Sequence, residues 1–137
     1  MLRIISLNLN GIRSAWSKKL LPWLCQQEAS IVCLQELKAQ LPDLSPEMLS
    51  PDGLHAHYHA AEKKGYSGVG IWARQAPDHV SAGFGVPEFD AEGRYLRADF
   101  ANLSVISLYL PSGSASPERQ AAKFRFLEAF LPHLAAL

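Results

Sequence analysis

The sequence has little cysteine. Cys25 and Cys33 are the only two among 137 residues, and no CxxC spacing relates them, so a disulfide scaffold is excluded. Both lie among apolar neighbours in the sequence, which suits a reduced interior, and the compartment is read as cytoplasmic. A surplus of one charge sign is also missing. Thirteen Lys and Arg side chains balance thirteen Asp and Glu, so no global field announces nucleic acid, and any phosphate binding must come from a local patch. Candidates for such a patch are Arg13, Lys18, Lys19, Lys38, Lys63, Lys64, Arg94 and Arg97. Long apolar runs are absent as well. The start, "MLRIISLNLNGIR", is too short in apolar residues for a signal peptide and no window reaches the length of a membrane span, so no membrane partner is expected. There is no internal repeat, low-complexity tract or linker. What remains is 48% hydrophobic and 19% charged over about one domain's length, enough for a real core.

Hydrophobic periodicity orders that core. Leu2 to Leu7 is a short β-branched run closed by Asn8, Ala15 to Glu28 has helical spacing, and Ile31 to Gln35 reads as a second strand. The intervening helix makes the two strands parallel. Leu41 to Gly53, with three prolines and a Pro-Asp-Gly turn, is expected to be mostly loop. Strands are expected over residues 55–62, 68–73, 79–84, 95–100 and 103–110, the last two joined tightly at Ala101-Asn102. Ser116 as N-cap, Pro117 at the first helical position and Glu118 in the first turn open a final helix. Its apolar rows are Ala122, Phe126, Phe130 and Leu127, Leu131, Leu134, and Pro132 is expected to kink or end it.

The stretch "IVCLQELK" poses a chemical problem, because an interior strand ends in Gln35-Glu36. A carboxylate there costs several kcal/mol, on the order of its residual desolvation penalty, unless a lysine or a metal meets it. The first strand ends at the same edge in Asn8-Leu9-Asn10-Gly11, and catalytic groups in α/β folds gather beyond the carboxyl ends of parallel strands. An amide and a carboxylate on one rim suit a hard cation held by one or two carboxylates and substrate phosphate; a plain Glu36–Lys38 pair suits the same residues. The glycines of "KKGYSGVGIW" match neither the P-loop nor the dinucleotide fingerprint. "FDAEGRYLRADF" taken alone is a charged turn before a strand. Tyr109 ends a buried strand at a Pro-Ser-Gly turn whose backbone N–H groups suit an anion, although a strand tyrosine is ordinarily core. His55, His57 and His59 share one strand face, which serves zinc only with a fourth ligand that is not nearby in sequence.

Taken together and in order, "NLNGIR", "IVCLQELKAQ", "GYSGVGIW", "FDAEGRYLRADF" and "SLYLPSGS" resemble the exonuclease III and AP endonuclease family, of the endonuclease/exonuclease/phosphatase superfamily. The resemblance runs from Ile4 to about Leu134, and "PERQAAKFRFLEAFLPHL" resembles the bacterial exonuclease III branch. It implies an α/β four-layer sandwich of the deoxyribonuclease I-like type, of which this chain is the N-terminal half with one mixed sheet, the second sheet being expected from the other half. It implies that Glu36 is a ligand of Mg²⁺ or Mn²⁺, with Asn8 beside it contacting metal or phosphate. Tyr109 would bond the scissile phosphate or donate a proton, as a phenol of pKa about 10 can at neutral pH. Asn10 and Arg13 would line the same cleft, and Tyr66, Arg94, Ser112 and Gly113 would contact backbone phosphates. Some relatives carry aspartate at the position of Asn10.

The implied activity is repair chemistry on double-stranded DNA: hydrolysis beside abasic sites and removal of nucleotides or blocking groups from 3′ ends. In the family the attacking water is assigned to an Asp-x-Asn pair and a His-Asp constellation in the second half, which residues 1–137 do not contain. A superfamily phosphatase acting on inositol phosphate or lipid headgroups, and a non-catalytic nucleic-acid-binding remnant, are the rival readings.

Overall fold

Two aliphatic runs, Ile4–Asn8 (β1) and Ile31–Gln35 (β2), pair in parallel in the computed structural model, which describes residues 1–137. The crossover between them is two short helices, Ile12–Ser17 (α1) and Leu20–Gln26 (α2), where the periodicity predicts one. The break is at Lys19, whose backbone is left-handed (φ 72°), so the chain turns and both pieces lay apolar residues on the sheet: Ile12 from α1, Leu20 and Leu24 from α2. Trp23 and Cys25 point outward instead, and the Cys25 thiol donates to Asp52 rather than lying in an apolar setting. The proline-rich stretch carries two 3₁₀ turns and the one-turn helix Pro46–Leu49 (α3), capped by the Ser45 hydroxyl.

His55–His59 (β3) and Val69–Ala73 (β4) complete a mixed sheet in the order β1-β2-β4-β3, with β3 at the edge and the His59 ring bonded to the carbonyl of Asp90. A second, antiparallel sheet is formed by His79–Ala82 (β5), Tyr95–Phe100 (β6) and Leu103–Leu108 (β7), with the one-turn helix Pro87–Asp90 (α4) between β5 and β6 in the chain. The β6–β7 hairpin turns at Ala101-Asn102 as expected, while β3, β5 and β7 each stop short of their expected ends.

The expected mixed sheet is therefore present, but it is not alone. The second sheet packs on it within this chain, through Ile31, Cys33 and Ile71 on one side and Leu96, Ala98 and Val105 on the other. The outer face of the first sheet carries α1 and α2 over Val32, Leu34 and Trp72. The outer face of the second carries the final helix, Pro117–Ala135 (α5), whose Phe126 and Phe130 pack edge-on against Phe89 and Tyr95. Four layers, helix, sheet, sheet and helix, thus arise from 137 residues. Each fully buried large side chain among them is worth about 1.5–3 kcal/mol.

Pro132 neither ends nor breaks α5, which runs on to Ala135. Pro132 and Glu128, whose carbonyl loses its helical donor, both lie on the exposed face, where water can serve that carbonyl. Of the two apolar rows, only Ala122, Phe126 and Phe130 are buried; Leu131 and Leu134 are exposed. No helix is long and apolar enough to cross a membrane.

Two outcomes follow from this packing. Gly93 has φ 60°, and a Cβ there would lie 2.6 Å from the carbonyl oxygen of His59. Gly93→Ala should therefore destabilise by more than the roughly 1–2 kcal/mol of a left-handed residue, and urea unfolding measures it; a smaller loss would show that the β3 backbone yields. The β1 edge is unpaired, with Leu2 and Ile4 exposed, and Phe124, Leu131 and Leu134 line the outside of α5. The chain of residues 1–137 should bind a hydrophobic dye or self-associate in sedimentation velocity, since an unpaired strand edge flanked by apolar side chains is a template for association. A dye-silent monomer would contradict this.

Candidate active site

The ends of β1 and β2 form one rim, and backbone hydrogen bonds continue the pairing past both strands. Leu9, Gly11 and Ile12 donate to the carbonyls of Gln35, Glu36 and Leu37 at 2.8–2.9 Å. From the other side Leu37 and Lys38 donate to Gly68 and Ser67 at 3.1 and 2.9 Å. Leu37 is pinned inside, 1% exposed, against a glycine whose missing Cβ would lie 3.1 Å from its own. Held this way, Glu36 (φ 53°), Lys38 (φ 50°) and Asn10 (φ 48°) are all left-handed. Left-handed geometry costs roughly 1–2 kcal/mol for an ordinary L-residue, and its concentration at one rim is the pattern of a functional site. Composition and periodicity carried no signal of it.

The Glu36 carboxylate has three neighbours. The Tyr109 hydroxyl donates to Oε1, the Asn8 side chain lies beside it, and Lys38 Nζ stands 3.8 Å from Oε2. Tyr109, followed by the Asn8 amide and the Lys38 charge, holds this carboxyl below its usual range, although partial burial pulls the other way. The same arrangement, burial first and then the donated bond to Glu36, pushes Tyr109 up to about 12. Lys38 binds Asn10 Oδ1 more closely, at 2.5 Å, and Arg13 donates to the Lys38 carbonyl at 3.0 Å. Asn8, Asn10, Arg13, Glu36 and Tyr109 thus meet at one rim, but Arg13 is turned to the Lys38 carbonyl and does not line the cleft that opens beside Asn8 and Asn10. A cleft of about 560 Å³ runs from Asn8 and Asn10 along Ser14 to Lys18, Lys19 and Trp23.

Behind Tyr109 is a second cleft, of about 390 Å³, lined by Lys63, Tyr66, Glu92, Arg94, Ser112 and Arg119. Arg94 is not the free phosphate contact that the resemblance implies. It is 1% exposed, and its guanidinium donates to Glu92, to the Tyr66 hydroxyl at 2.7 Å and to the Tyr109 carbonyl at 3.2 Å. Its central carbon lies over the Tyr66 and Tyr109 rings, 5.7 and 5.2 Å from their centres, so it fixes both tyrosines. The Tyr66 hydroxyl donates in turn to Glu92 at 2.9 Å and accepts from Arg119 at 2.9 Å. Gly113 faces the Gln120 side chain on α5 and does not line the cleft. Arg119 and Glu92 were not singled out as site residues by the sequence. Arg119 sits on the first turn of α5, 53 positions from Tyr66, and only the folding of α5 onto the second sheet unites them.

The endonuclease/exonuclease/phosphatase family pattern matches residues 5–136. The chain belongs to this family. Among its relatives, an exodeoxyribonuclease of Bacillus subtilis is 36% identical over 99% of this chain and 53% of its own length, and exodeoxyribonuclease III of Haemophilus influenzae is 30% identical over 97% and 49%. An AP endonuclease structure from Archaeoglobus fulgidus superposes with TM-score 0.84 at 32% identity, covering 98% of this chain and 51% of that one. The chain spans about half the length of the curated relatives it matches. These matches bear out the family and the sandwich fold that the five ordered motifs imply.

In this family member the rim offers oxygen donors and one carboxylate. No group of three or more His, Cys, Asp or Glu side chains comes together anywhere in the chain. An all-protein metal cage is therefore not on offer, and the donor set fits a hard cation that keeps several waters and takes phosphate oxygens.

The pKa shifts set a pH dependence. Glu36 is depressed in the folded state, so its stabilisation is present above the ordinary carboxylate range and is lost as pH falls through the folded value. Tyr109 is raised, so its contribution is complete below 10 and is lost as pH rises toward about 12. Tyr109→Phe should move the Glu36 side-chain carbon titration upward in NMR and remove that alkaline loss. An unmoved Glu36 titration would show that the hydroxyl is not its main partner.

Proposed function

We propose that residues 1–137 form the N-terminal part of a single endonuclease/exonuclease/phosphatase domain. In our reading the complete domain hydrolyses phosphodiester bonds in DNA, cutting beside abasic sites and removing nucleotides or blocking groups from 3′ ends. The observation that carries this reading is the Glu36–Tyr109 contact, which joins the two sheets at the rim with cationic clefts on either side. The relatives named as exodeoxyribonucleases and as an AP endonuclease support the substrate class.

Glu36, with Asn8 beside it, would hold Mg²⁺ or Mn²⁺. When bound, such a cation offsets charge on the transferring phosphate. The chain's own groups bind and orient. Tyr109 is protonated at neutral pH, and its hydroxyl, now on Glu36, is placed to donate to a phosphate oxygen when substrate arrives. Lys18 and Lys19 border one cleft for the strand backbone, with Arg13 held at the rim by the Lys38 carbonyl, and Lys63, Arg119 and Ser112 border the other. Asn10 keeps Lys38 at the rim. The base for the attacking water comes, in this reading, from residues beyond this chain.

In a full-length chain containing these residues, Glu36→Gln should abolish Mg²⁺-dependent cleavage of an abasic duplex. Cleavage persisting within about tenfold, only ~1.4 kcal/mol of barrier, would contradict the metal assignment. Tyr109→Phe should lower turnover at least about a hundredfold, the scale of losing one donor to developing charge, with the melting temperature nearly unchanged. The chain of residues 1–137 alone should not cut, since positioned acid–base help typically supplies about 10²–10⁴ in rate. Inositol phosphates and lipid headgroups in the same panel test the phosphatase reading. Salt-sensitive DNA binding without Mg²⁺-dependent cleavage by a full-length chain would favour the binding remnant.

A further inference from the structure

Directly beneath the Glu36–Tyr109 contact, the layer between the two sheets turns polar. Along β2, Ile31 and Cys33 face the second sheet among apolar partners, but the next inward residue is Gln35. Along β7, Val105 is followed by Ser107 in the same way. Gln35 is 9% exposed and Ser107 is fully buried. Polar side chains in such a layer are costly unless paired, and here both are. Gln35 Nε2 lies 3.3 Å from Ser107 Oγ and 3.2 Å from Ser6 Oγ, and the Ser107 hydroxyl donates to the carbonyl of Leu34 at 2.9 Å.

This bridge differs in kind from the contacts around it. Hydrophobic packing is non-directional, so an apolar interface between two sheets fixes their separation better than their sliding. A hydroxyl donating to one particular carbonyl is directional and fails within a fraction of an ångström of slip. Gln35 precedes Glu36 by one residue and Ser107 precedes Tyr109 by two, so a displacement at the bridge is delivered almost undiminished to the site.

We propose that Gln35 and Ser107 are positioning residues, whose bridge sets the height of β7 on β2 and thereby aligns the Tyr109 hydroxyl with Glu36. Its importance for catalysis rests on the reading of Glu36 and Tyr109 given above, but the alignment does not. The plain alternative is that the bridge only satisfies two buried polar groups and stabilises the fold, as a serine–glutamine pair does in many interiors. Such a role would loosen the whole domain. An aligning role would disturb Tyr109 selectively.

The experiment measures hydroxyl-proton exchange by NMR on the chain of residues 1–137 labelled in its tyrosine rings, in metal-free buffer. Tyr109→Phe assigns the signal. The Tyr58 hydroxyl, bonded to the Met48 carbonyl on the opposite face of the first sheet, is the internal control. In Ser107→Ala the Tyr109 hydroxyl should exchange with water at least tenfold faster while Tyr58 stays within twofold. Gln35→Met, which keeps length and removes the amide, should move Tyr109 in the same direction. Tyr109 unchanged in both variants, or Tyr58 accelerated equally, would overturn the proposal. Because the readout needs neither metal nor substrate, an intact result beside an inactive full-length protein would count against the hydrolysis reading alone.

Discussion

The burial of β2 on both faces is the constraint from which the rest of the site follows. All five of its residues are buried, between β1 and β4 in the plane and between α1–α2 and β7 above and below. Its backbone can bond only to those two neighbouring strands, and the bonding does not stop at Gln35. Leu9, Gly11 and Ile12 follow the chain on one side, Ser67 and Gly68 on the other, and Leu37 is drawn into the core between them. A chain clamped on both edges, with every second side chain inside, can turn its charged residues outward only by adopting left-handed geometry at Glu36 and Lys38. The strain is sustained by the surrounding bonds.

That geometry settles how a carboxylate is tolerated at the end of an interior strand. Its company is not a lysine alone. A phenol donates to it, an amide lies beside it, and the lysine stands at 3.8 Å while binding Asn10 more closely. A carboxylate bonded by neutral donors keeps its negative charge largely uncompensated, which leaves it available to a cation in the proposed function. Tyr109 is fixed in turn from behind by Arg94, which holds Tyr66 through the same guanidinium. One buried arginine therefore braces both tyrosines at the wall of the second cleft.

Much of the architecture was legible because it rests on local patterns. β1 and β2 and their parallel pairing follow from two aliphatic runs around a crossover, the β6–β7 hairpin from its tight turn, and the start of α5 from Ser116-Pro117-Glu118. Errors fell where a tertiary contact overrode the pattern. The helix between β1 and β2 broke at Lys19 because its two halves cover different parts of the sheet. α5 ran through Pro132 because the freed carbonyl faces water. The second sheet was assigned to residues outside the chain because alternation identifies a strand without saying which sheet it joins.

The sequence by itself determined which residue types stand at the ends of the strands, and five short motifs in order sufficed to place the chain in its family. Asn8, Glu36 and Tyr109 are legible there because each ends a strand or directly follows one. What only the tertiary structure decided is which of the other polar and charged residues are buried and which stay open to solvent. Arg94 and Arg119 look alike in the sequence and line the same cleft, yet one is 1% exposed as a brace between two tyrosines and the other is only partly buried on the first turn of α5. Ser107 and Gln35 look like interruptions of apolar strands, yet they meet each other across 72 positions of chain. The reason is physical: local pattern is fixed by backbone sterics and side-chain periodicity within a few residues, whereas burial and pairing depend on which surfaces the whole fold brings into contact.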